Sequence, residues 1–469
     1  MSGFIGLNMA VSGLLAQRAR IETIGHNLTN AATPGYTRQR VELQAIRADV
    51  NPGVLTYRAV RGGGVEILGV ERLTDGVLDA QVRQENSLDG FMRRRADELG
   101  RIENLIPEPS GGGLTEILDD FYNGFDELAT APQDLGIRTG QLDRAELLTS
   151  RVRQQATSLS DLRRDQFERS QVLTQRVNEL TANVAQMNKS IVTAGATGQA
   201  PNDLLDQRDM ALDELASLVD IQVHHHENLS VDVNLDGHAL VRNTRSRDVA
   251  AVEVPDAALG ALGLARLEVQ VQGSTSVSVS VVGGELAGVL AVANVDIPDA
   301  ITQLDDFAAS LVGQVNALHS GGAALDGSIG LSFFDPAGLT ASTIAVSADI
   351  AGQPDKIAVA DPLAGPFDGS IALDLAELAD QPGGAVEIYR NFVAGVGSGT
   401  ASARTQANVQ GALLFEAQQL QNSQRGVNID EEMAELISAQ HAYEAAARLF
   451  TAVDEMLDTL INRTGRIGR

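Results

Sequence analysis

The sequence predicts a mainly α-helical protein with nested β structure: a coiled coil of the two terminal helices, plus an elongated helical rod domain with β elements. Three observations lead there. Both ends of the chain carry apolar residues at alternating spacings of three and four, the seam that paired helices need. Residues 142–194 hold a helical pattern without Gly or Pro, enough at 1.5 Å per residue for a rod of roughly 80 Å. From Asp220 to about Gly288 the pattern changes to the period-two alternation of strands.

In chain order, a first helix is expected over 4–30. Leu7, Val11, Leu14, Arg18, Ile21, Gly25 and Leu28 form its seam, with Arg18 and Gly25 as weak positions. Thr33-Pro34-Gly35 ends it, since Pro cannot continue a helix and Gly suits the positive φ of a turn. Residues 36–72 read as strands and turns, with Gly62-Gly63-Gly64 as a breaker. Helices follow near 75–105 and 114–130, then over 142–194 and 201–219. Leu173, Val177, Leu180, Val184, Met187 and Ile191 give the long helix a clean seam in its second half. The β section includes a strict alternation over 271–282, read as one strand. Residues 301–319 return to helix, 321–372 hold short strands such as 343–347, and helix resumes over 385–422. Asn428 caps the last helix with Glu431 as its third residue, a capping-box arrangement. Leu436, Tyr443, Phe450 and Leu457 then repeat every seven residues, and Met433, Gln440, Ala447, Asp454 and Ile461 fill the alternate seam positions imperfectly. Leu449, Val453, Met456 and Leu460 form a second row, wider than a two-stranded seam requires. Arg463, Arg466 and Arg469 suit the negative end of that helix.

Composition excludes much chemistry. The 469 residues include no Cys, so disulfides, thiolate zinc sites, iron–sulfur clusters and Cys nucleophiles are out. The formal charge of −27 argues against a nucleic-acid partner, which calls for a basic footprint. No run of about 18 apolar residues is present, so no membrane span is expected. The first residues lack a basic region and an unbroken apolar core, so no cleaved secretory signal is expected either.

Motifs for catalysis, cofactor or metal are weak. His224, His225 and His226 are consecutive in a strand-like segment and point to opposite faces, so they do not converge on a metal. Residues 232–237 match half of a calcium loop, but the twelfth position is Asn243 and the flanks are strand-like; an Asp-Gly hairpin turn is the plainer reading. Gly395-Val-Gly397-Ser-Gly399 departs from the dinucleotide fingerprint and reads as a loop, as does Gly111-Gly112-Gly113. The chain is therefore expected to be no enzyme, with no cofactor and no metal. The terminal seams are its strongest signal. They mark Leu7, Val11, Leu14, Ile21, Leu28, Met433, Leu436, Tyr443, Phe450, Leu457 and Ile461 as the expected subunit interface of a self-assembling protein.

The residues around the first seam also carry a resemblance. Ser12-Gly-Leu-Leu-Ala-Gln, followed by Ile24-Gly-His-Asn27-Leu-Thr-Asn30-Ala-Ala-Thr33-Pro34-Gly35-Tyr36, resembles the signature of bacterial flagellar rod, hook and hook-associated proteins. Pro201-Asn-Asp-Leu-Leu-Asp-Gln-Arg-Asp209, Phe333-Phe334 and the stretch from Gly426 to Asn462 narrow it. They resemble the family of flagellar hook-associated protein 1, the first hook–filament junction protein, over nearly the full length. The resemblance implies an inner domain of residues 1–45 with 425–469, and a helical rod of 46–220 with 290–424 carrying β elements at 221–289. It implies export through the flagellar type III apparatus and an extracellular site at the hook–filament junction. Implied partners are further copies of the chain, the hook protein, the second hook–filament junction protein and an export chaperone at the C-terminal helix. Longer members carry an outer β domain after the Phe-Phe segment. Here Phe334 and Ser342 are eight positions apart, so 335–372 is expected to be a reduced remnant of that insertion.

The function this implies is a structural adaptor joining hook to filament. The alternatives are a hook or distal-rod protein, or, in another class, a secreted peptidoglycan hydrolase with a flagellar-type terminus.

Overall fold

The chain begins in helix α1 (Ser2–Asn30), turns, and forms the antiparallel hairpin β1 (Gln39–Ala45) and β2 (Val65–Arg72). This is a computed structural model, and it describes residues 2–46, 63–106, 108, 113–197, 200–273 and 275–459. Four helices follow: α2 (Gly76–Leu105), α3 (Leu114–Thr130), α4 (Leu135–Ala196) and α5 (Asn202–Leu218). Asp75 and Asp134 cap α2 and α4, each side chain accepting from two backbone N–H groups of the first turn. α4 has 62 residues, longer than expected at its N-terminus, and is roughly 93 Å long.

Two small antiparallel sheets come next. The first holds β3 (Ile221–His225), β4 (Val231–Leu235), β5 (His238–Arg242) and β6 (Arg245–Ser246) in sequence order. Asp236 and Gly237 both have positive φ, the two-residue turn expected at Asp-Gly. The second holds β7 (Val249–Val254), β8 (Arg266–Val271) and β9 (Val277–Val279), with the short helix α6 (Ala257–Gly260) after β7. The alternation over 271–282 is thus not one strand. β8 ends at Val271 and the chain reverses near Gly273 to pair β9 back on it, because alternation persists through a hairpin and gives no sign of where it turns.

The β section also ends sooner than expected. α7 (Gly284–Ala291), a π-helical turn (Val292–Asp296) and α8 (Ile297–His319) run on without a break. In 321–372 the expected strand at 343–347 is absent; Phe334 and Val346 make only an isolated bridge. Ala341, Ile344, Ile350 and Ile357 from this segment sit in the core beside Phe121, Phe125, Phe333 and Phe334. After α9 (Ser370–Glu377) come α10 (Ala385–Arg425) and α11 (Ile429–Asp458). Gly395, Gly397 and Gly399 lie inside α10, not in a loop; the flanking helical pattern overrides three unfavourable propensities.

α4 passes through two cores. Its first half packs Leu148, Val152 and Leu159 with α3, α8 and residues 333–359. Its second half packs Val177, Val184 and Ile191 with α5, α7 and both sheets. The hydrophobic seam read in 173–191 is buried as expected.

Candidate functional site

α1 and α11 pair antiparallel, and the line of contact is built from small residues. A Cβ at Gly6 would lie 3.6 Å from Val453 Cγ2, and one at Gly13 would lie 3.8 Å from the Ala446 Cβ. Ala10, Ala16 and Ala439 are buried. On α11, Glu432, Ala439, Ala446 and Val453 follow at seven-residue intervals, which keeps them on one stripe. Small residues let the backbones approach closely but remove little apolar surface from water.

The larger seam residues named from sequence flank this line. Leu7, Leu14, Ile21 and Leu28 of α1 are half-buried, as are Leu436, Phe450 and Leu457 of α11. Val11, Met433 and Tyr443 are exposed. Ile461 lies outside the described residues, as do Leu460, Arg463, Arg466 and Arg469. On α1 the contact line runs one position earlier than the apolar seam, through Gly6, Ala10, Gly13, Ile24 and Asn27. Gly and Ala carry too little hydropathy to reveal it. The second row on α11 splits: Val453 enters the pair, while Leu449 and Met456 stay 50% and 57% exposed. Met9, Val11 and Leu15 of α1 and Met433, Ile437 and Tyr443 of α11 are exposed as well.

At the base of the pair, the two sequence signatures meet. Asn27 is 1% exposed and all four hydrogen-bonding positions of its amide are used. Nδ2 donates to Gln39 O (2.9 Å) and Glu432 Oε2 (3.0 Å); Oδ1 accepts from Gln39 N (2.9 Å) and Tyr36 OH (2.8 Å). One side chain thus ties α1 to β1 and to α11. Asn30 O accepts from Thr33 N (2.9 Å), starting the turn that runs through Pro34 to Gly35. Gly35 has φ +76°, and a Cβ there would lie 2.1 Å from Met210 Sδ, so the turn requires glycine. Burial and the nearby carboxylates of Asp206 and Asp203 push the Tyr36 hydroxyl well above its usual pKa, so it stays a donor.

The segment 202–213 receives this turn. Asp206 Oδ2 accepts from Thr37 N (3.2 Å), and its Oδ1 pairs with Arg72 Nη1 (2.8 Å). Arg72 Nη2 reaches Asp209 at 2.6 Å, and Arg83 Nε reaches Asp213 at 2.9 Å. Asn202 Nδ2 donates to Gln39 Oε1 and Val70 O. Burial raises the pKa of Asp206 and Asp213 against the pull of their arginines. On the other side Arg38 Nε pairs with buried Glu432 at 2.6 Å, Nη1 with Glu431 at 3.1 Å and Nη2 with Glu435 at 3.5 Å. Arg38 N donates to Arg425 O (2.9 Å), so the two segments leaving the rod run side by side. Asn428 caps α11 as expected, accepting from Asp430 N and Glu431 N. Arg38 and Arg72 carry no signal in a single sequence, since the carboxylates they pair with lie more than 100 residues away.

The other motifs have structural roles. His224 and His225 lie in β3, and His226 Nε2 sits 3.2 Å from Asp232 Oδ2. Among the described residues no three His, Asp or Glu side chains converge on a metal position, and no helix is long and apolar enough to cross a membrane.

Three family models match the sequence. That of the flagellar hook-associated protein FlgK helical domain matches residues 99–334, that of the flagella basal body rod protein 7–37, and that of the flagellar basal body rod FlgEFG protein C-terminal 421–463. The chain is 28% identical, over an alignment of 521 positions, to flagellar hook-associated protein 1 of Bacillus subtilis, covering all of both chains. It is 26% identical to flagellar hook-associated protein 1 of Salmonella typhimurium over 70% of this chain and 59% of that one. Among solved structures it is similar to the flagellar hook junction protein FlgK from Burkholderia pseudomallei, with a TM-score of 0.65 and 15% identity, over 73% of this chain and 100% of that chain. At that identity the likeness speaks for the fold.

Proposed function

The chain belongs to the flagellar hook-associated protein FlgK family, whose helical-domain model covers half of it, and from that premise we propose that it is a structural adaptor polymerising at the hook tip. One observation carries the proposal. The terminal helices pair through Gly and Ala and leave Met9, Leu15, Ile437, Leu449 and Met456 facing outward. Each such side chain contributes on the order of 1.5–3 kcal/mol when fully buried. That gain comes only when neighbouring copies are in place. The junction of Asn27, Tyr36, Arg38 and Glu432 fixes the angle at which this surface is presented.

In this reading the chain acts outside the cell and performs no catalysis. Copies assemble on the hook protein, receive the second hook–filament junction protein above, and are held before export by a chaperone on α11. The match of the FlgK helical domain across α3, α4 and α5 favours this over a hook or distal-rod protein. Deleting the gene and imaging the cells tests it. Hooks without filaments, with flagellin lost to the medium, is the expected result. Normal filaments would overturn it, and loss of the hooks themselves would point to the rod or hook alternative. Zymography of the purified chain tests the hydrolase alternative; a cleared band would refute a purely structural role.

A further inference from the structure

We infer that the cavity between β2, the end of α4 and the start of α5 binds a small organic anion, with a phosphate-type oxyanion head on an apolar body. The inference goes beyond the adaptor reading and stands apart from it. Arg208 holds the head. It is 3% exposed and lies in the wall of the cavity. Its Nη1 donates to Asn188 Oδ1 (3.2 Å) and Leu229 O (2.5 Å), both uncharged acceptors. Nε is buried without a partner, and Nη2 makes no hydrogen bond among the described residues. Burial pulls the guanidinium pKa down to about 10, so it remains a cation at neutral pH. Buried charges are normally paired; this one waits for an anion.

The carboxylates around the cavity are engaged elsewhere. Asp209 spends one oxygen on Arg72 Nη2 (2.6 Å) and faces Arg83 Nη2 (3.6 Å) with the other. Asp79 accepts from Gln421 Nε2 (2.7 Å), and Glu71 pairs with Arg40 (2.8 Å). Glu42 is exposed. The amino end of α5 opens on the same wall at Pro201 and Asn202, and no side chain caps it. Free N–H groups at a helix start favour an oxyanion. Asp203 of that first turn lines the neighbouring cavity beside α1 instead.

Size and lining indicate the body of the ligand. The cavity holds about 840 Å³, within the range of small-molecule sites and more than a bare phosphate needs. Leu68, Leu205 and Leu229 give it an apolar wall. Leu68 and Leu229 are 50% and 43% exposed, so a ligand lying on them would remove apolar surface from water. The walls also come from different parts of the molecule. β2 belongs to the hairpin that follows α1, whereas Arg208 and Leu229 belong to the rod. A bound anion would therefore tie the hairpin to the rod.

Calorimetric titration of the purified full chain with phenyl phosphate, inorganic phosphate and benzyl alcohol, at constant ionic strength in chloride, tests this. Phenyl phosphate is expected to bind, inorganic phosphate more weakly by about tenfold, and benzyl alcohol not at all. Arg208→Gln is expected to lower the affinity for phenyl phosphate by about tenfold or more, in a variant whose circular dichroism melt shows that it is folded. Arg208 also holds Asn188 and Leu229 O, so hydrogen exchange on the native chain gives a reading independent of that variant. Phenyl phosphate should slow exchange over residues 200–209 and 226–229 and leave α3 unchanged. Failure of phenyl phosphate to bind overturns the inference, as does equal affinity in the folded variant or protection confined to other segments. Equal binding of benzyl alcohol overturns it too, since the charge would then do nothing. None of these results bears on whether the chain enters flagella, so the adaptor reading stands or falls separately.

Discussion

His319 makes the stability of the rod depend on pH with a sign and size that the geometry sets. It is the last residue of α8, 0% exposed, with its ring edge-on to Phe333 at 5.3 Å. Nε2 accepts from Ala358 N (2.9 Å), so Nδ1 carries the hydrogen and donates to Leu331 O (2.7 Å). Only neutral imidazole satisfies both. Burial, with the Arg138 cation nearby, pulls its pKa down to about 4. Between about pH 4 and 6.5 the unfolded chain therefore binds the proton and the folded chain does not. The stabilisation is complete above 6.5, is lost as pH falls toward 4, and is flat below. At 1.36 kcal/mol per pKa unit, the loss between pH 7.5 and 4.5 is about 2.5 kcal/mol. Urea unfolding at the two pH values, compared between the native chain and His319→Gln, measures it. Asp206, Asp213 and Asp305, whose pKa burial raises, run in the opposite direction in both proteins and cancel in the comparison. The native chain should lose about 2.5 kcal/mol more than the variant. Equal losses would refute the assigned tautomer and its burial.

Other substitutions test the junction and the core. Asn27→Asp removes the donors to Gln39 O and Glu432 and sets two carboxylates together; it should loosen the junction by about 2–4 kcal/mol, read as faster hydrogen exchange over residues 33–45 with the rod unchanged. Arg138, buried against Pro132 O, Pro354 O and Ile357 O, leaves the Pro132 and Ile357 carbonyls without that donor as Arg138→Met, while Pro354 O keeps Ile357 N (3.4 Å); the cost should be about 2–5 kcal/mol in global unfolding. α1 and α11 should exchange rapidly in the isolated chain and be protected in flagella; strong protection in the isolated chain would count against assembly as the source of their stability.

Much of the fold is legible in the sequence because its helices are long and amphipathic. α2, α3, α4 and α5 announce themselves through helical patterns several turns long, where errors in single residues average out. The misreadings come from positions that carry no hydropathy. The line of contact between α1 and α11 runs through Gly6, Ala10, Gly13 and Ala439, so the seam is drawn through the larger neighbours. Gly395 to Gly399 looks like a break, yet 41 residues of continuous helix carry it. Of the junction, Asn27 and Tyr36 stand out only through a resemblance; that the fourth bond of Asn27 reaches Glu432, or that Asp206 receives Thr37, depends on contacts across more than 160 residues.

The Asn27–Glu432 hydrogen bond spans 405 residues, and that separation bears on the order in which the chain becomes usable. Closing so long a loop from an open chain costs about 5 kcal/mol in entropy, which a line of glycines and alanines is poorly placed to offset. Once the rod has folded, Arg38 and Arg425 are already neighbours, and the same closure becomes almost local. Pairing of the two ends is then a late step conditional on everything between them. A chain whose rod is damaged cannot present the paired surface at all. The ends report on the middle, so a growing assembly that captures only paired ends selects for copies that have finished folding.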